Sequence, residues 1–140
     1  MSPAHAAHVI YRTDPRARTV ATLALAIATL GVAIPYGTAA GGSVLQLNPL
    51  EWVLSILAFL AGLGLVGDLI PTFHPAARAR GLAFMVAGFV WTVIAAYDAL
   101  VPGDLTLWWR LGHSIPDIAW AIVGLTAWRI IITDAKQATP

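Results

Sequence analysis

Four polar side chains fall near one predicted side of the protein and are of the types that bind cations or protons. They are Glu51, Asp98, His113 and Asp117. A histidine with several carboxylates suits a divalent metal ion or an exchangeable proton. Helix-end chemistry explains two of the acids more simply, because Glu51 and Asp117 each follow a pattern typical of a helix start. We therefore treat the four residues as a candidate outer polar cluster and expect no bound metal.

Asp68 and Arg129 form a second candidate site, because each lies inside an apolar segment. An ionisable residue within such a segment suggests a functional role by default. Both residues are near a segment end, where a long side chain can also extend to the lipid headgroups. We predict that they form a structural ion pair within the membrane rather than an ion or proton path.

The sequence lacks the residues that other kinds of catalytic or cofactor site would need. Cysteine is absent, which excludes thiol catalysis, disulfide exchange and iron–sulfur clusters. His5 and His8 stand in a polar tail and His74 in a predicted loop, so no two histidines can face each other across a haem. Hydrolase, metalloprotease and phosphate-loop motifs are also missing. We expect a protein that is not an enzyme and has no cofactor.

The composition indicates the elements that carry these residues. The chain has 140 residues, of which 59% are hydrophobic and 11% charged, and its mean hydropathy is +0.77. These values are typical of an integral membrane protein and far from those of a soluble domain. The formal charge of +1 provides no field that would attract nucleic acid.

Four continuous apolar segments are long enough to cross a bilayer as helices, which needs roughly 20 residues each. The predicted spans are residues 20–40, 50–70, 81–101 and 115–133. Strands are disfavoured because the apolar residues do not alternate with polar ones. We predict one all-α transmembrane domain over residues 1–140, folded as an up-down-up-down four-helix bundle.

The basic residues predict the orientation of the bundle. Seven of the eight Lys and Arg residues fall on one side of the predicted topology, and only Arg110 falls on the other. Positive charge is retained on the cytoplasmic side of a membrane. This places both termini in the cytoplasm of a bacterial-type inner membrane.

A cleaved signal peptide is an alternative interpretation of the first segment. The apolar run from Val20 to Ile34 is followed by the helix breaker Pro35 and by the small residues Thr38 and Ala40. Cleavage near residue 40 would leave three spans and would move the mature amino terminus outside.

The two halves of the chain resemble each other, which suggests two tandem two-helix hairpins. A Pro-containing basic run precedes the first and third spans. The second and fourth spans begin with Asn48-Pro49-Leu50-Glu51 and Ser114-Ile115-Pro116-Asp117, each with a capping residue, an early proline and an acid at the third helical position.

Small residues on the predicted helices would let helix backbones approach closely, within the chain or between copies. They are Ala21, Ala24, Ala28 and Gly31 on the first helix, Ala58 and Gly62 on the second, and Ala83 and Ala87 on the third.

Three functional interpretations fit a small membrane protein without catalytic residues. The first is a self-associating protein of the phage-holin kind that forms a lesion in the bilayer, although the chain lacks the strongly charged carboxyl-terminal tail of typical holins. The second is an accessory subunit packed against a larger membrane complex. The third is a small channel or carrier that uses the outer polar cluster and the Asp68 and Arg129 pair. It ranks lowest, because the centres of the spans are uncharged.

Overall fold

The computed structural model describes residues 2, 5–6, 9, 12–33, 49–73, 76–100 and 106–138. Four long helices make up most of this part of the chain, and no strand occurs within it. They are α1 (Pro15–Ala33), α2 (Pro49–Leu69), α3 (Ala77–Leu100) and α4 (Leu107–Ala138). Each is long and apolar enough to cross a membrane, which confirms the predicted all-helical membrane protein. The predicted cap Asn48 and the predicted cleavage region after Ile34 lie outside the described residues.

α1 begins five residues before the predicted boundary because Asp14 caps it. The Asp14 carboxylate accepts hydrogen bonds from the backbone N–H groups of Arg16 and Ala17, at 2.9 and 3.3 Å. Pro15 takes the first helical position, where its missing N–H costs nothing. The helix therefore starts in the polar run and carries Arg16 and Arg18 on its first turn.

The predicted start of α4 is wrong. The helix begins at Leu107, so Pro116 lies in its interior and Asp117 is more than two turns from its first residue. Ser114 does not cap the helix from outside; its hydroxyl donates to the Arg110 carbonyl at 2.9 Å. Pro116 leaves the Gly112 carbonyl without the usual backbone donor, a loss that membrane helices tolerate when neighbouring groups and packing compensate.

The helices pack in chain order. α3 and α4 share the most extensive interface, α1 packs on α2, and α2 joins the two pairs by packing on α3. α1 makes only slight contact with α3 and α4. The largest fully buried side chains, Leu25, Thr29, Leu65, Phe84 and Val90, fill the interior between these helices.

Most of the predicted small residues lie at contacts within the chain. Ala58, Ala83 and Ala87 are buried, and a Cβ atom on Gly62 would come within 2.5 Å of the Leu30 side chain. Gly31 differs, because a Cβ atom placed there would meet no atom of the described residues within 4 Å. The small-residue positions of α2 and α3 thus serve internal packing, whereas that of Gly31 remains open.

The exterior of the helices is apolar. Val20, Ile27, Leu60 and Ile122 are each 58–66% exposed, and all four helices carry further exposed large hydrophobic side chains. A surface of this kind would be costly in water over so large an area, whereas hydrocarbon is its natural surrounding. Burial and composition therefore agree on a membrane protein.

Candidate functional site

Asp68 forms an ion pair with Arg80, and not with Arg129 as the sequence predicted. The Arg80 Nε donates to Asp68 Oδ1, and the side chains are 37% and 14% exposed, respectively. Asp68 stands at the penultimate position of α2, and Arg80 lies in the first turn of α3. The short α2–α3 connection brings Arg80 to Asp68, whereas Arg129 lines a different groove on α4.

The residues that follow α2 turn back onto its last turn. Ile70 N–H donates to the Gly67 carbonyl at 3.3 Å, and Phe73 N–H donates to the Ile70 carbonyl at 3.1 Å. The Phe73 ring returns onto α2, where a Cβ atom on Gly67 would lie 3.1 Å from it. These contacts fold the chain after Leu69 back onto the end of α2, from which Arg80 on α3 reaches Asp68.

A cavity of about 300 Å³ adjoins the ion pair. Asp68 and Arg80 line it together with Arg18, Thr19 and Thr22 of α1. Three helix ends therefore meet around one carboxylate with two guanidinium groups nearby. Charged side chains from three helices therefore line one small, polar cavity, which lies at the end of the bundle and not at its centre.

Arg129 lies in a different place, beside an ion pair between the amino-terminal segment and α4. Arg12 Nη2 donates to Asp134 Oδ1 at 2.6 Å, and both side chains are nearly half exposed. A groove of about 800 Å³ is lined by His5, Arg12, Arg129 and Asp134 along with apolar residues of α4. The sequence did not indicate that the amino-terminal tail would reach α4.

Three members of the outer polar cluster come together. The Asp117 carboxyl lies within hydrogen-bonding reach of Asp98 and close enough to His113 for an electrostatic interaction. The Trp109 ring stacks on His113, with centroids 5.9 Å apart and planes inclined by 28°. Glu51 occupies the first turn of α2, as predicted from its capping pattern. Asp117 joins the cluster from the interior of α4, so helix-start chemistry no longer explains it.

The outer polar cluster does not have the form of a metal centre. Within the described ranges, no three His, Asp or Glu side chains are grouped as ligands of a metal ion would be. An open depression of about 380 Å³ next to it is lined by Trp108, Trp109, Gly112 and His113. Trp108 is 81% exposed. Exposed aromatic rings beside polar groups are typical of the boundary between lipid and water.

The buried polar contact between Thr29 and Trp91 was not among the predictions from the sequence. Trp91 Nε1 donates to Thr29 Oγ1 at 3.1 Å, which joins α3 to α1. The Trp91 ring also lies 6.4 Å from that of Trp120 on α4, with the planes tilted by 38°. Threonine in a membrane helix often bonds to its own backbone, so neither Thr29 nor its partner could be singled out from the sequence.

Comparison with protein-family models, curated proteins and solved structures finds no match for this chain. The function must therefore be argued from the geometry. That geometry consists of charged contacts at the helix ends, a nearly apolar interior with one buried tryptophan–threonine bond, and an apolar exterior.

Proposed function

We propose that this chain is a non-enzymatic, multi-pass protein of a bacterial-type inner membrane that acts by self-association. In this proposal its four helices run up-down-up-down, both termini lie in the cytoplasm, and copies of the chain pack against one another in the bilayer.

Two ion pairs support the proposed topology. Asp68 with Arg80 joins the end of α2 to the start of α3, and Arg12 with Asp134 joins the residues before α1 to the last turns of α4. The cavity next to Asp68 also contains Pro15 at the start of α1. These contacts favour placing all four of those helix ends at one side of the membrane. Arg16, Arg78 and Lys136 belong to the same ends, in keeping with retention of positive charge in the cytoplasm.

The distribution of charge argues against a channel or carrier. The central parts of the four helices contain no Asp, Glu, Lys or Arg. Transported ions and protons need polar groups near the middle of the bilayer, where charges are otherwise costly. A protein with an uncharged centre is better suited to acting through the surfaces of its helices.

The observation that carries the self-association proposal is the open outer face of α1, formed by Val20, Leu23, Ile27 and Gly31. All four residues are exposed, and no part of the chain that the structure describes fills the space beside Gly31. α1 is bound mainly to α2, so this face is available to another helix. Glycine lets a second backbone approach closely, and membrane helices associate through such contacts.

A holin-like lesion is the more specific form of this proposal. Copies that accumulate and associate through α1 would breach the bilayer once enough of them had gathered. Induced expression should then collapse the membrane potential abruptly after a delay. Harmless accumulation of the protein would contradict the lesion while leaving self-association to be judged separately.

The absence of cysteine from the sequence makes cross-linking a direct test. Gly31→Cys on α1 is compared with Gly112→Cys on α4, since a Cβ atom meets nothing within 4 Å at either position. We expect oxidation of native membranes to give a disulfide-linked dimer with Gly31→Cys and little with Gly112→Cys. Equal yields, or none from either, would overturn association through α1. Recovery of a stoichiometric second protein in mild detergent would favour an accessory subunit instead.

A further inference from the structure

The groove beside Arg129 lies between the amino-terminal residues His5 and Arg12 and the surface of α4. His5 lies on its outer wall, and the His5 backbone N–H donates to Ser2 Oγ at 3.3 Å. The Arg12–Asp134 ion pair ties that wall to α4. Its volume of about 800 Å³ falls in the range of ligand-binding clefts.

The groove changes from apolar to polar along α4. Ile122 and Leu125 line one end, Trp128 follows, and Arg129 and Asp134 line the other. Ile122 and Arg129 are seven residues apart, which is roughly 10 Å along a helix. A phospholipid has the same order, with acyl chains at one end and a phosphate at the other, and about 10 Å covers its phosphate and the upper part of its chains, which span about 15 Å in one leaflet. Tryptophan is favoured where the two regions meet.

The charges in the groove favour an anion. Asp134 is engaged by Arg12, which neutralises that pair. The Arg129 side chain is exposed, and within the described part of the chain it makes no ion pair. Arginine binds phosphate through several N–H donors in a fixed plane, so an unpaired guanidinium at the lipid boundary suits a phosphate group.

We infer that this groove is a binding site for one anionic phospholipid. Arg129 holds the phosphate, with His5 and Arg12 on the opposite wall, and Ile122 and Leu125 contact an acyl chain. A zwitterionic lipid fits less well, because its own cationic group would be brought close to the unpaired Arg129 guanidinium. The site requires a chain embedded in lipid but not self-association, since every lining residue comes from a single copy.

The test uses the full chain, purified in a non-ionic detergent and analysed by native mass spectrometry. Phosphatidylglycerol and phosphatidylcholine with identical acyl chains are added in separate titrations. We expect one phosphatidylglycerol to be retained per chain at concentrations where phosphatidylcholine is not. Equal retention of the two lipids would overturn the inference. Glycerol phosphate and inorganic phosphate are added as competitors, and displacement by either at lipid concentrations would show that the site takes a free phosphate compound instead.

Two arginine variants locate the site. Arg129→Gln should weaken phosphatidylglycerol binding about fivefold or more, because one basic residue near an anionic lipid contributes about that factor. Arg78→Gln is the matched control, since Arg78 is an exposed arginine on α3 outside the groove, and it should bind as the unaltered chain does. Equal weakening by both variants would mean non-specific attraction and would refute the site.

Two further variants separate binding from folding. Arg129→Lys keeps the charge and should retain most of the lipid binding. Ile122→Ser keeps every charge but removes the apolar contact, and we expect it to weaken phosphatidylglycerol binding while leaving the α-helical circular dichroism unchanged. If Ile122→Ser binds the lipid normally and Arg129→Lys loses it, the proposed pose is wrong.

Discussion

The backbone of α4 at Gly124 lies directly against the backbone of α3 at Gly88. A Cβ atom on Gly124 would be 2.8 Å from the Gly88 nitrogen and 3.0 Å from the Phe84 carbonyl oxygen. A Cβ atom on Gly88 would in turn be 2.9 Å from the Leu125 nitrogen. Backbone cannot move aside as a flexible side chain can, so any substituent here separates the two helices. This contact lies in the most extensive helix interface of the protein.

Gly124→Ala is therefore expected to destabilise the protein. Overpacking of this kind costs roughly 1–3 kcal/mol, which exceeds the gain of about 1 kcal/mol in helix propensity from glycine to alanine. Unfolding by SDS in mixed micelles, followed by circular dichroism, measures the change. Gly112→Ala is the control on the same helix, because its Cβ atom would meet nothing within 4 Å, and it should be neutral or stabilising. Equal effects at the two positions would contradict the backbone contact.

The spacing of small residues could have indicated this interface on α4. Ala121, Gly124 and Ala127 recur every third residue, and all three are buried. The sequence analysis identified Ala83 and Ala87 on α3, which flank the contact, but no small residue on α4. All three small residues nevertheless lie within the predicted span of residues 115–133.

Pro116 explains why the start of α4 was misplaced. In an aqueous protein a proline preceded by serine and followed by an acid is typical of a helix start. Inside a membrane protein the helix can continue through proline, because breaking it would expose several more backbone groups to hydrocarbon. Local sequence chemistry does not distinguish these cases. The packing of α4 against α3 decides between them, and that packing is tertiary.

The predictions of helices were more successful than the predictions of ion-pair partners. Four long apolar helices and the acid in the first turn of α2 follow from segment length and capping, and the structure confirms both. Ion-pair partners depend on side-chain reach and on the fold of short connections. Arg80 was therefore missed, although it is only twelve residues from Asp68 in the sequence.

Thr29→Val is expected to destabilise the protein by removing the acceptor for the Trp91 indole N–H. Hydrogen bonds between membrane helices contribute on average about 0.6 kcal/mol and at most about 1.7 kcal/mol, so the loss should fall in that range. Thr92→Val is the matched control, because the Thr92 hydroxyl donates only to the Gly88 carbonyl of its own helix. In a double-mutant cycle, Thr29→Val should have little further effect in a Trp91→Phe background. Full additivity of the two substitutions would mean that the bond does not stabilise the protein.

Asp68→Asn is expected to lower the free energy of unfolding by about 1–2 kcal/mol, because the pair with Arg80 is partly buried and its loss leaves a guanidinium without its partner. Asp134→Asn, which breaks the exposed pair with Arg12, should cost less than about 0.5 kcal/mol. Double-mutant cycles identify the partner of Asp68. Coupling is expected with Arg80→Gln and not with Arg129→Gln. Coupling to Arg129 instead would restore the pairing first predicted from the sequence.

The proposed topology predicts opposite labelling of two exposed threonines outside the helices. Thr72 lies in the turn between α2 and α3, and Thr106 directly precedes α4. Each is replaced by cysteine in a separate variant. Because the chain has no other cysteine, any labelling reports the position of that residue, and both variants carry the same Thr→Cys change. A membrane-impermeant maleimide added to intact spheroplasts should react with Thr106→Cys, whereas Thr72→Cys should react only after the membrane is opened. We expect this result because arginines lie at the Thr72 end of the helices, and positively charged residues are retained on the cytoplasmic side of a membrane.

Labelling of Thr72→Cys from outside would place the termini outside as well. Labelling of both positions would mean that α3 does not cross the bilayer.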